Sequence, residues 1–305
     1  MKHLFTLLFV FWAGLTLSAQ TVVKKTINVN DLSFKMVQVQ GGRFNMGGTA
    51  EQDPIHVEDD EWPIHVVTLS DYYIGETEVT QALWQEIMGE NPSGFTGDLN
   101  RPVERVMWIE CKTFVEKLSE KTGIAFRLPT EAEWEFAARG GVYSHTYRYS
   151  GSDNIADVAW YGANSGNETH PVAQLQPNEL GIYDMSGNVD EWCQDWWGNY
   201  NMQYQEDPTG PDDGENRVRR GGDWDGSTKG PRVSYRNYEL PNIRWNYIGL
   251  RLAATEITDE QAASLLPAAS APTTADTPRY NVLGQPVPAD YHGLTISPNE
   301  KKIMQ

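Results

Sequence analysis

The side chains most capable of chemistry are concentrated in the stretch RRGGDWDGSTKGPRVSYRN, residues 219–237. A twin glycine precedes Asp223 and Asp225, which flank a tryptophan, so the stretch resembles an active-site loop without a nucleophile. Carboxylates in such a loop act as general acids or bases when the fold brings them together and burial shifts one pKa. Together with Asp190, they are the candidate catalytic residues. Asp223 and Asp225 would share one face if the loop is extended.

Basic and aromatic residues are interleaved along and after the same stretch. Arginine and large aromatic side chains dominate the energetics of interaction surfaces, so the region is also a candidate cleft for a peptide, a protein or a glycan. The alternative is that some of these side chains pack the domain's own core. The candidate ligand contacts are Trp224, Arg232, Tyr235, Arg236 and Trp245.

A second acidic stretch, ELGIYDMSGNVDEWCQDWWGNY (residues 179–200), offers oxygen ligands for a metal ion. Asp184 and Glu191 flank a Ser-Gly-Asn turn, and the main-chain carbonyls of Gly187 and Val189 would point into the same concavity. Calcium accepts this mixture of carboxylate and carbonyl oxygens. An acidic turn with capped amides has the same pattern, so the spacing alone leaves both interpretations open.

Other chemistries lack their sequence signatures. The 6 histidines form no HxH or HExxH pair, so zinc-type spacing is absent. The chain contains no GxSxG elbow, P-loop or dinucleotide fingerprint. The net charge of −18 argues against a nucleic acid or an anionic membrane as partner, because binding phosphates requires a basic surface.

Helix signals are few but clear. Apolar residues at helical spacing predict helices that end at Gly89 and Gly123. Thr130 and Glu133 form a capping box at the start of a third helix, which Gly140 ends. These helices precede both acidic stretches and must help to position them.

Strand signals lie at the two ends of the central region. KMVQVQGGRFNMGG predicts a hairpin around Gly41 and Gly42, HVVTLSDYYIG predicts one further strand, and YIGLRLA a closing strand. The acidic loop between the first two, EQDPIHVEDDEWP, is interpreted as a solvated surface. Residues 141–216 predict a packed irregular region, for which a bound ion would supply cross-links. The composition therefore indicates an α+β protein rich in loops.

The chain divides into five segments. Residues 1–19 have the plan of a secretory signal peptide, which predicts a secreted, periplasmic or cell-surface protein without a later membrane span. Residues 20–35 are a lead, 36–256 one domain, 257–278 an Ala/Pro/Thr-rich linker and 279–305 a short strand-like tail. Cys111 and Cys193 either form one disulfide or are buried thiols.

The chain resembles the formylglycine-generating enzyme (sulfatase-modifying factor) family from Met36 to about Ala254. The motifs that carry the resemblance, in order, are GGRFNMGG, GETEVTQALWQEIMG, PVERVMW, FRLPTEAEWEFAARGG, PNELGIYDMSGNVDEW, RVRRGGDW and NYIGLRLA. The resemblance implies the family's fold, an irregular, loop-rich variant of the C-type lectin fold that calcium stabilises.

The resemblance also implies two calcium sites. It places the first at the side chains of Asp184 and Glu191 and the main-chain oxygens of Gly187 and Val189. The second falls in IADVAWYGANSGNETH, where the match is looser. Its candidate residues are Asn164 and Asn167.

The sequence departs from the family in the loop of residues 219–237. The family's oxidases hold copper and engage their substrate through two loop cysteines, and Gly226 and Pro231 occupy those positions here. Neither side chain ligates a metal or exchanges a disulfide. Asp223 replaces a family serine, and Asp190 replaces the active-site tryptophan. We therefore expect a calcium-stabilised binding module without copper.

Two alternatives remain at this stage. One is an enzyme of different chemistry that uses Asp190, Asp223 and Asp225, and the other is a true formylglycine-generating oxidase with other ligands. The tail segment YNVLGQPVPADYHGLTIS is similar to short C-terminal segments on exported proteins of Bacteroidetes-type bacteria. This similarity agrees with an exported bacterial protein.

Overall fold

The structure is a computed structural model that describes residues 22–52 and 57–264, together with three short strands of the tail. The predicted signal peptide, residues 1–19, lies outside the described residues, as do residues 265–278 of the predicted linker. In the part that is described, no helix has the length and apolar character needed to cross a membrane.

The described residues form short helices and many short strands. The α-helices are α1 (Gln81–Met88), α2 (Trp108–Thr122), α3 (Glu131–Ala138), α4 (Ile155–Val158) and α5 (Asp259–Ser264). The strands of the first half are β1 (Lys24–Val29), β2 (Leu32–Val39), β3 (Gly42–Met46), β4 (His65–Leu69), β5 (Tyr72–Gly75), β6 (Phe126–Arg127), β7 (Ala159–Trp160) and β8 (Ser186–Gly187). Those that follow are β9 (Asp190–Trp196), β10 (Gln205–Glu206), β11 (Arg217–Arg220), β12 (Arg236–Glu239), β13 (Ile248–Leu250), β14 (Ala253–Ala254), β15 (Arg279–Asn281), β16 (Pro286–Val287) and β17 (Thr295–Ile296).

These strands form several small sheets rather than one large one. The largest has the order β1-β2-β5-β14-β6, and a four-stranded sheet has the order β12-β11-β9-β13. Strands β10, β4 and β3 form a third sheet, β7 pairs with β8, and the tail strands form their own sheet. The architecture is a mixed α+β fold in which long connections join short strands, as the composition predicts.

The predicted helix boundaries are confirmed. Gly89 and Gly123 adopt left-handed backbone, with φ of 86° and 72°, and end α1 and α2. At the start of α3, the Thr130 hydroxyl accepts the N–H of Glu133, and the Glu133 carboxylate accepts the N–H of Thr130 at 2.9 Å. Arg127 donates to both oxygens of Glu133 at 2.6 Å, which fixes the box against β6.

The predicted hairpin at Gly41 and Gly42 is wrong. Strand β2 pairs with β1 and β5, whereas β3 pairs with β4, so the twin glycine passes the chain from one sheet to another. A Cβ on Gly41 would lie 2.3 Å from the carbonyl oxygen of Leu69, an approach that only glycine permits. The single strand predicted over HVVTLSDYYIG is likewise two strands, β4 and β5, in different sheets.

The irregular region predicted for residues 141–216 contains a strand that the sequence analysis missed. Strand β9 lies between β11 and β13, and it buries Trp192 and Cys193 completely. Its sequence, DEWCQDW, alternates poorly because its acidic residues are also buried. Arg219 pairs with Asp190 and Arg251 with Glu191, contacts between distant parts of the chain that local hydrophobicity does not reveal.

The N-terminal lead belongs to the domain. Ile27 and Val29 of β1 are buried in a core cluster with the stacked rings of Trp84 and Phe114, whose centroids are 4.9 Å apart. At the other end, Ile257 is buried in the same cluster, and α5 follows it. The predicted boundaries at residues 36 and 256 therefore cut into the packed structure on both sides.

Both cysteines are free thiols inside the protein. Cys111 lies in α2 and Cys193 in β9, and each is fully buried. Burial raises the pKa of both thiols well above the usual value. The buried-thiol interpretation is correct, and the disulfide is not present.

Candidate functional site

The loop that carries the candidate catalytic residues joins β11 to β12 and closes on itself. Gly221 and Gly222 have φ of 108° and 70°, which lets the chain turn sharply away from β11. A Cβ on Gly222 would lie 2.6 Å from the main chain of Gly230 and Pro231, so the two ends of the loop touch. The N–H of Gly222 donates to Asp190 Oδ1 at 2.8 Å, which ties the loop to β9.

Asp190 is engaged by an ion pair and is not a free base. Its Oδ2 accepts a hydrogen bond from Nη1 of Arg219, and both side chains are buried. The Arg219 guanidinium lies 5.4 Å from the ring centroid of Tyr247. Burial lowers the pKa of Arg219, although Tyr247 and Asp223 oppose the shift. A carboxylate in this arrangement stabilises the loop and cannot readily accept a proton from a substrate.

Asp223 and Asp225 lie in a turn, not in an extended segment. The N–H of Asp225 donates to Asp223 Oδ1 at 2.9 Å, and the N–H of Gly226 donates to the Asp223 carbonyl at 3.1 Å. The condition for a shared face, an extended loop, is therefore not met. Burial raises the pKa of Asp223, and Arg219 opposes the shift. Asp190 and Asp223 thus approach the same arginine, while Asp225 is exposed to solvent.

Two of the predicted ligand contacts are parts of the core. Trp224 is buried, donates from Nε1 to the carbonyl of Asn246 at 2.9 Å and meets Phe95 edge to face. Arg232 is also buried, and its guanidinium donates to both oxygens of Glu61. The ligand-contact prediction is wrong for these two side chains. The interpretation of the acidic loop as a solvated surface is wrong for Glu61, which is fully buried.

Arg236 is a third predicted contact that is committed to the fold. Its Nε and Nη2 donate to the two oxygens of Glu131 at 2.6 and 2.7 Å. The guanidinium lies 4.2 Å from the ring centroid of Trp197 and 3.7 Å from that of Tyr200. Most of the N–H groups of this guanidinium donate within the protein, so few of them are left to contact a ligand.

Of the remaining two predicted contacts, Trp245 belongs to an exposed aromatic surface. Trp245 is 44% exposed and stacks on Tyr247 with a centroid separation of 5.7 Å, while Tyr235 is half-buried. Tyr238, 45% exposed, packs on Trp197. We define the aromatic surface by the stacked pair Trp245 and Tyr247. Tyr247 was not predicted, although it lies within the stretch that connects β12 to β13.

The predicted first calcium site fits the structure only in part. Asp184 is buried with one oxygen, Oδ2, accepting the N–H of Ala173 at 2.7 Å. Glu191 is already engaged, because it accepts two nitrogens of Arg251 at 2.7 to 3.0 Å and Nε1 of Trp134 at 2.7 Å. In this arrangement Asp184 is the better side-chain ligand of the two.

Sequence reasoning missed a third carboxylate at this place. Glu78, from the connection between β5 and α1, accepts Nδ2 of Asn188 at 2.8 Å and the N–H of Val189 at 3.1 Å. Burial raises the pKa of Glu78 well above its usual value, and the charges of Asp184 and Glu191 add to the shift. Burial likewise raises the pKa of Asp184 to about 6. In the sequence, the only signal of this carboxylate was an acidic residue within the apolar pattern of GETEVT.

The negative charge of this carboxylate cluster favours a bound cation. The arrangement of its side chains favours one less. Three buried carboxyls surround Arg251, so a further positive charge would relieve their repulsion. Within the described ranges, however, no three His, Cys, Asp or Glu side chains are grouped so as to hold a metal ion. Calcium would therefore be held by Asp184 together with main-chain oxygens, for which Gly187 and Val189 remain the predicted sources.

The residues predicted for a second calcium site stabilise a turn. Asn164 Oδ1 accepts the N–H of Tyr161 at 2.8 Å, and Nδ2 donates to the carbonyl of Ala159 at 2.9 Å. Asn167 has a φ of 66° and donates its N–H to Ser165 Oγ at 3.1 Å. The Asn164 side chain is thus used within its own loop.

Gly226 and Pro231 lie in the closed loop, and the two thiols are elsewhere. Cys111 and Cys193 are buried in α2 and β9, so neither can reach the loop surface without rearrangement of the core. Copper(I) prefers sulfur ligands, and this loop supplies none. The residues present do not fit the copper site of the family's oxidases.

Residues 23–256 match the family described as the sulfatase-modifying factor enzyme 1-like domain. The chain belongs to this family. The match begins at Val23, directly before β1, in agreement with the finding that the N-terminal lead is part of the packed domain. Among its relatives, the chain is 36% identical over 256 residues to the chaperone protein LppX of Paenibacillus barcinonensis, an alignment that covers 67% of this chain and 83% of the relative.

The formylglycine-generating enzyme of Streptomyces coelicolor is 29% identical over 297 residues, which cover 74% of this chain and 91% of the enzyme. Among solved structures, Treponema denticola variable protein 1 superposes with a TM-score of 0.70 at 35% identity, over 77% of this chain and 100% of that one. The fold is therefore the loop-rich α+β fold of this family, a variant of the C-type lectin fold.

Proposed function

We propose that this protein is an exported, calcium-stabilised binding module that lacks the formylglycine-generating oxidase activity of its family. The observation that carries the proposal is the presence of Gly226 and Pro231 at the positions of the copper-binding cysteines. The family's oxidation of a substrate cysteine needs a soft-metal site beside the bound thiol. Asp223 and Asp225 offer oxygen ligands only, and these hold copper(I) poorly.

The aromatic surface beside this loop is the proposed binding site. Trp245 is held in place, because its Nε1 donates to Glu239 Oε2 at 2.8 Å and its ring stacks on Tyr247. Rigid, exposed aromatic side chains lose little conformational entropy on binding and are enriched at interaction hot spots. This chemistry favours a peptide or protein ligand. The relative named as a chaperone is compatible with that choice.

Calcium and export complete the proposal. The buried acidic cluster around Asp184 is the proposed calcium site, and its role is structural, because an ion that binds only the folded state stabilises it. Residues 1–19 are the proposed signal peptide, which directs the mature chain to the periplasm, the cell surface or the medium.

The test uses the mature protein as a probe on arrays of immobilised peptides and glycans. We expect selective binding to peptides, and a loss of that binding in the Trp245→Ala variant. The matched control is Trp62→Ala, which removes another exposed tryptophan, 47% exposed, outside the aromatic surface. Selective binding to glycans would change the ligand class, and full binding by Trp245→Ala would contradict the proposed surface.

A further inference from the structure

One further pocket is not used by the proposed function. It has a volume of about 530 Å³ and opens between α3, the end of β9 and the exposed segment 198–211. That volume is within the range of small-molecule sites. Its floor includes the buried side chains of His65, Glu131, Asp195 and Arg236, with Tyr200 on one wall.

Asp195 contributes a carboxyl group to the floor of the pocket, and one of its oxygens can still accept a hydrogen bond. Its side chain is 4% exposed, and Oδ2 accepts the N–H of Glu131 at 2.9 Å. Among the described residues, no hydrogen-bond donor reaches its other oxygen, Oδ1. This oxygen is not fully enclosed by the protein, so it faces the pocket, where water or a ligand can donate to it.

The arginine that lines this pocket, Arg236, is already neutralised. Arg236 donates from Nε and Nη2 to Glu131 and from Nη1 to the carbonyl of Asp60 at 3.0 Å. Glu131 in turn accepts the hydroxyl of Tyr200 at 3.2 Å. The floor therefore has an unmatched acceptor, while its arginine has few donors left for a ligand. At the rim, Glu206 adds a second acidic group.

We propose that this pocket binds a ligand through a protonated primary amine, which donates to Asp195. The amine is supplied either by a small organic amine or by the side chain of a lysine in a peptide. The exposed amides of Asn199, Asn201 and Gln203 line the mouth of the pocket and contact the polar remainder of the ligand. A charge-assisted hydrogen bond of this kind is among the stronger polar contacts in proteins.

Binding of an ammonium group to Asp195 is coupled to release of a proton. Burial raises the pKa of Asp195 to about 8, and the charges of Glu131 and Glu133 add to the shift, while Arg236 opposes it. The other titratable groups at the pocket are His65, Tyr200 and Glu206. At pH 7, Asp195 is therefore mainly protonated, and an ammonium beside it favours the ionised form.

The test is isothermal titration calorimetry with the whole protein at pH 7. The probes are 1,5-diaminopentane and Nα-acetyl-lysine-N-methylamide, with the Nε-acetylated form of the latter as the uncharged control. We expect at least one of the two cations to bind, and the acetylated form not to bind. Binding of the diamine alone would assign the site to small amines, and binding of the lysine derivative alone would assign it to peptides.

The role of Asp195 is tested by variants and by proton release. We expect Asp195→Asn to weaken binding about tenfold or more, and Asp213→Asn, which removes an exposed acid outside the pocket, to leave it unchanged. Titrations in two buffers of different ionisation enthalpy report proton release in the parent protein, so they do not depend on whether Asp195→Asn folds. No binding of either cation at millimolar concentration, equal binding to Asp195→Asn, or no proton release would overturn the proposal.

Discussion

At the scale of single residues, the roles of the arginines differ most from those that the sequence indicated. Arg232 and Arg236 were interpreted as ligand contacts because they alternate with aromatic residues, yet both are buried and paired. Their partners, Glu61 and Glu131, lie 171 and 105 positions earlier in the chain. Local sequence cannot reveal such pairs, because a buried charge is stabilised by a partner that only the fold brings near.

The ion pair of Glu61 and Arg232 predicts a large effect on stability. Glu61→Gln leaves the buried guanidinium without a countercharge, which typically costs 3 to 5 kcal/mol, so we expect the free energy of unfolding to fall by about that amount. Urea titration measures the loss. The control is Glu168→Gln, whose partner Arg101 lies 3.2 Å away in a half-exposed pair and where we expect a loss of about 1 kcal/mol or less. Similar losses in the two variants would contradict the buried role of Glu61.

Asp195 predicts the direction of a pH dependence. Its pKa of about 8 in the folded protein lies above the unfolded value near 3.9, so folding takes up a proton between these values. The free energy of unfolding should therefore fall as the pH rises from about 5 to 8, by up to about 1.4 kcal/mol per pH unit from this group. Urea titrations at several pH values measure the slope. The slope should be shallower in Asp195→Asn and unchanged in Asp213→Asn. An unchanged slope in Asp195→Asn would show that other groups cause the pH dependence.

At the scale of elements, signals confined to a few consecutive residues were reliable and those that depend on pairing were not. The capping box of Thr130 and Glu133 and the glycines that end α1 and α2 were predicted correctly, because each is a local hydrogen-bonding or backbone requirement. The hairpin at Gly41 was wrong because strand pairing is decided by partners far along the chain. Strand β9 was missed for the same reason, since Asp190 and Glu191 are paired with the distant Arg219 and Arg251.

The capping box gives a prediction at this scale. Thr130→Ala removes the acceptor for the N–H of Glu133, so we expect the free energy of unfolding to fall by about 1 kcal/mol. Thermal or urea unfolding detects a change of this size. Thr130→Ser keeps the hydroxyl and should lie close to the parent protein. A Thr130→Ser variant as unstable as Thr130→Ala would show that packing of the methyl group, not the cap, is responsible.

At the scale of the whole molecule, the series of motifs identified the family and its fold, whereas composition and periodicity alone indicated only a loop-rich α+β protein. The domain limits were less accurate, since β1 and Ile257 belong to the core beyond the predicted boundaries. The candidate site was predicted as a region, and in that region Trp224, Arg232 and Arg236 are buried whereas Trp245 is exposed. Which aromatic residues face solvent depends on how the loops pack against each other. Short stretches of sequence do not reveal that packing.

The proposed calcium site predicts that the stability of the whole domain depends on calcium. Calcium at about a thousand times its dissociation constant would stabilise the folded state by about 4 kcal/mol, so adding a chelator should lower the melting temperature. Differential scanning calorimetry measures the shift. Asp184→Asn should reduce the chelator's effect, and Asp212→Asn, an exposed acid remote in sequence, should retain it. A melting temperature that a chelator does not change in the parent protein would contradict the calcium site.

The most direct test of the central claim is an assay for the family's oxidase activity. The purified protein is supplied with copper, oxygen, a thiol reductant and a sulfatase-type cysteine peptide, and the aldehyde product is sought by mass spectrometry. Because Gly226 and Pro231 provide no sulfur ligand, we predict that no aldehyde forms above the level without protein. Aldehyde formed over many turnovers per protein molecule would contradict the account and would require a metal site built from residues other than this loop.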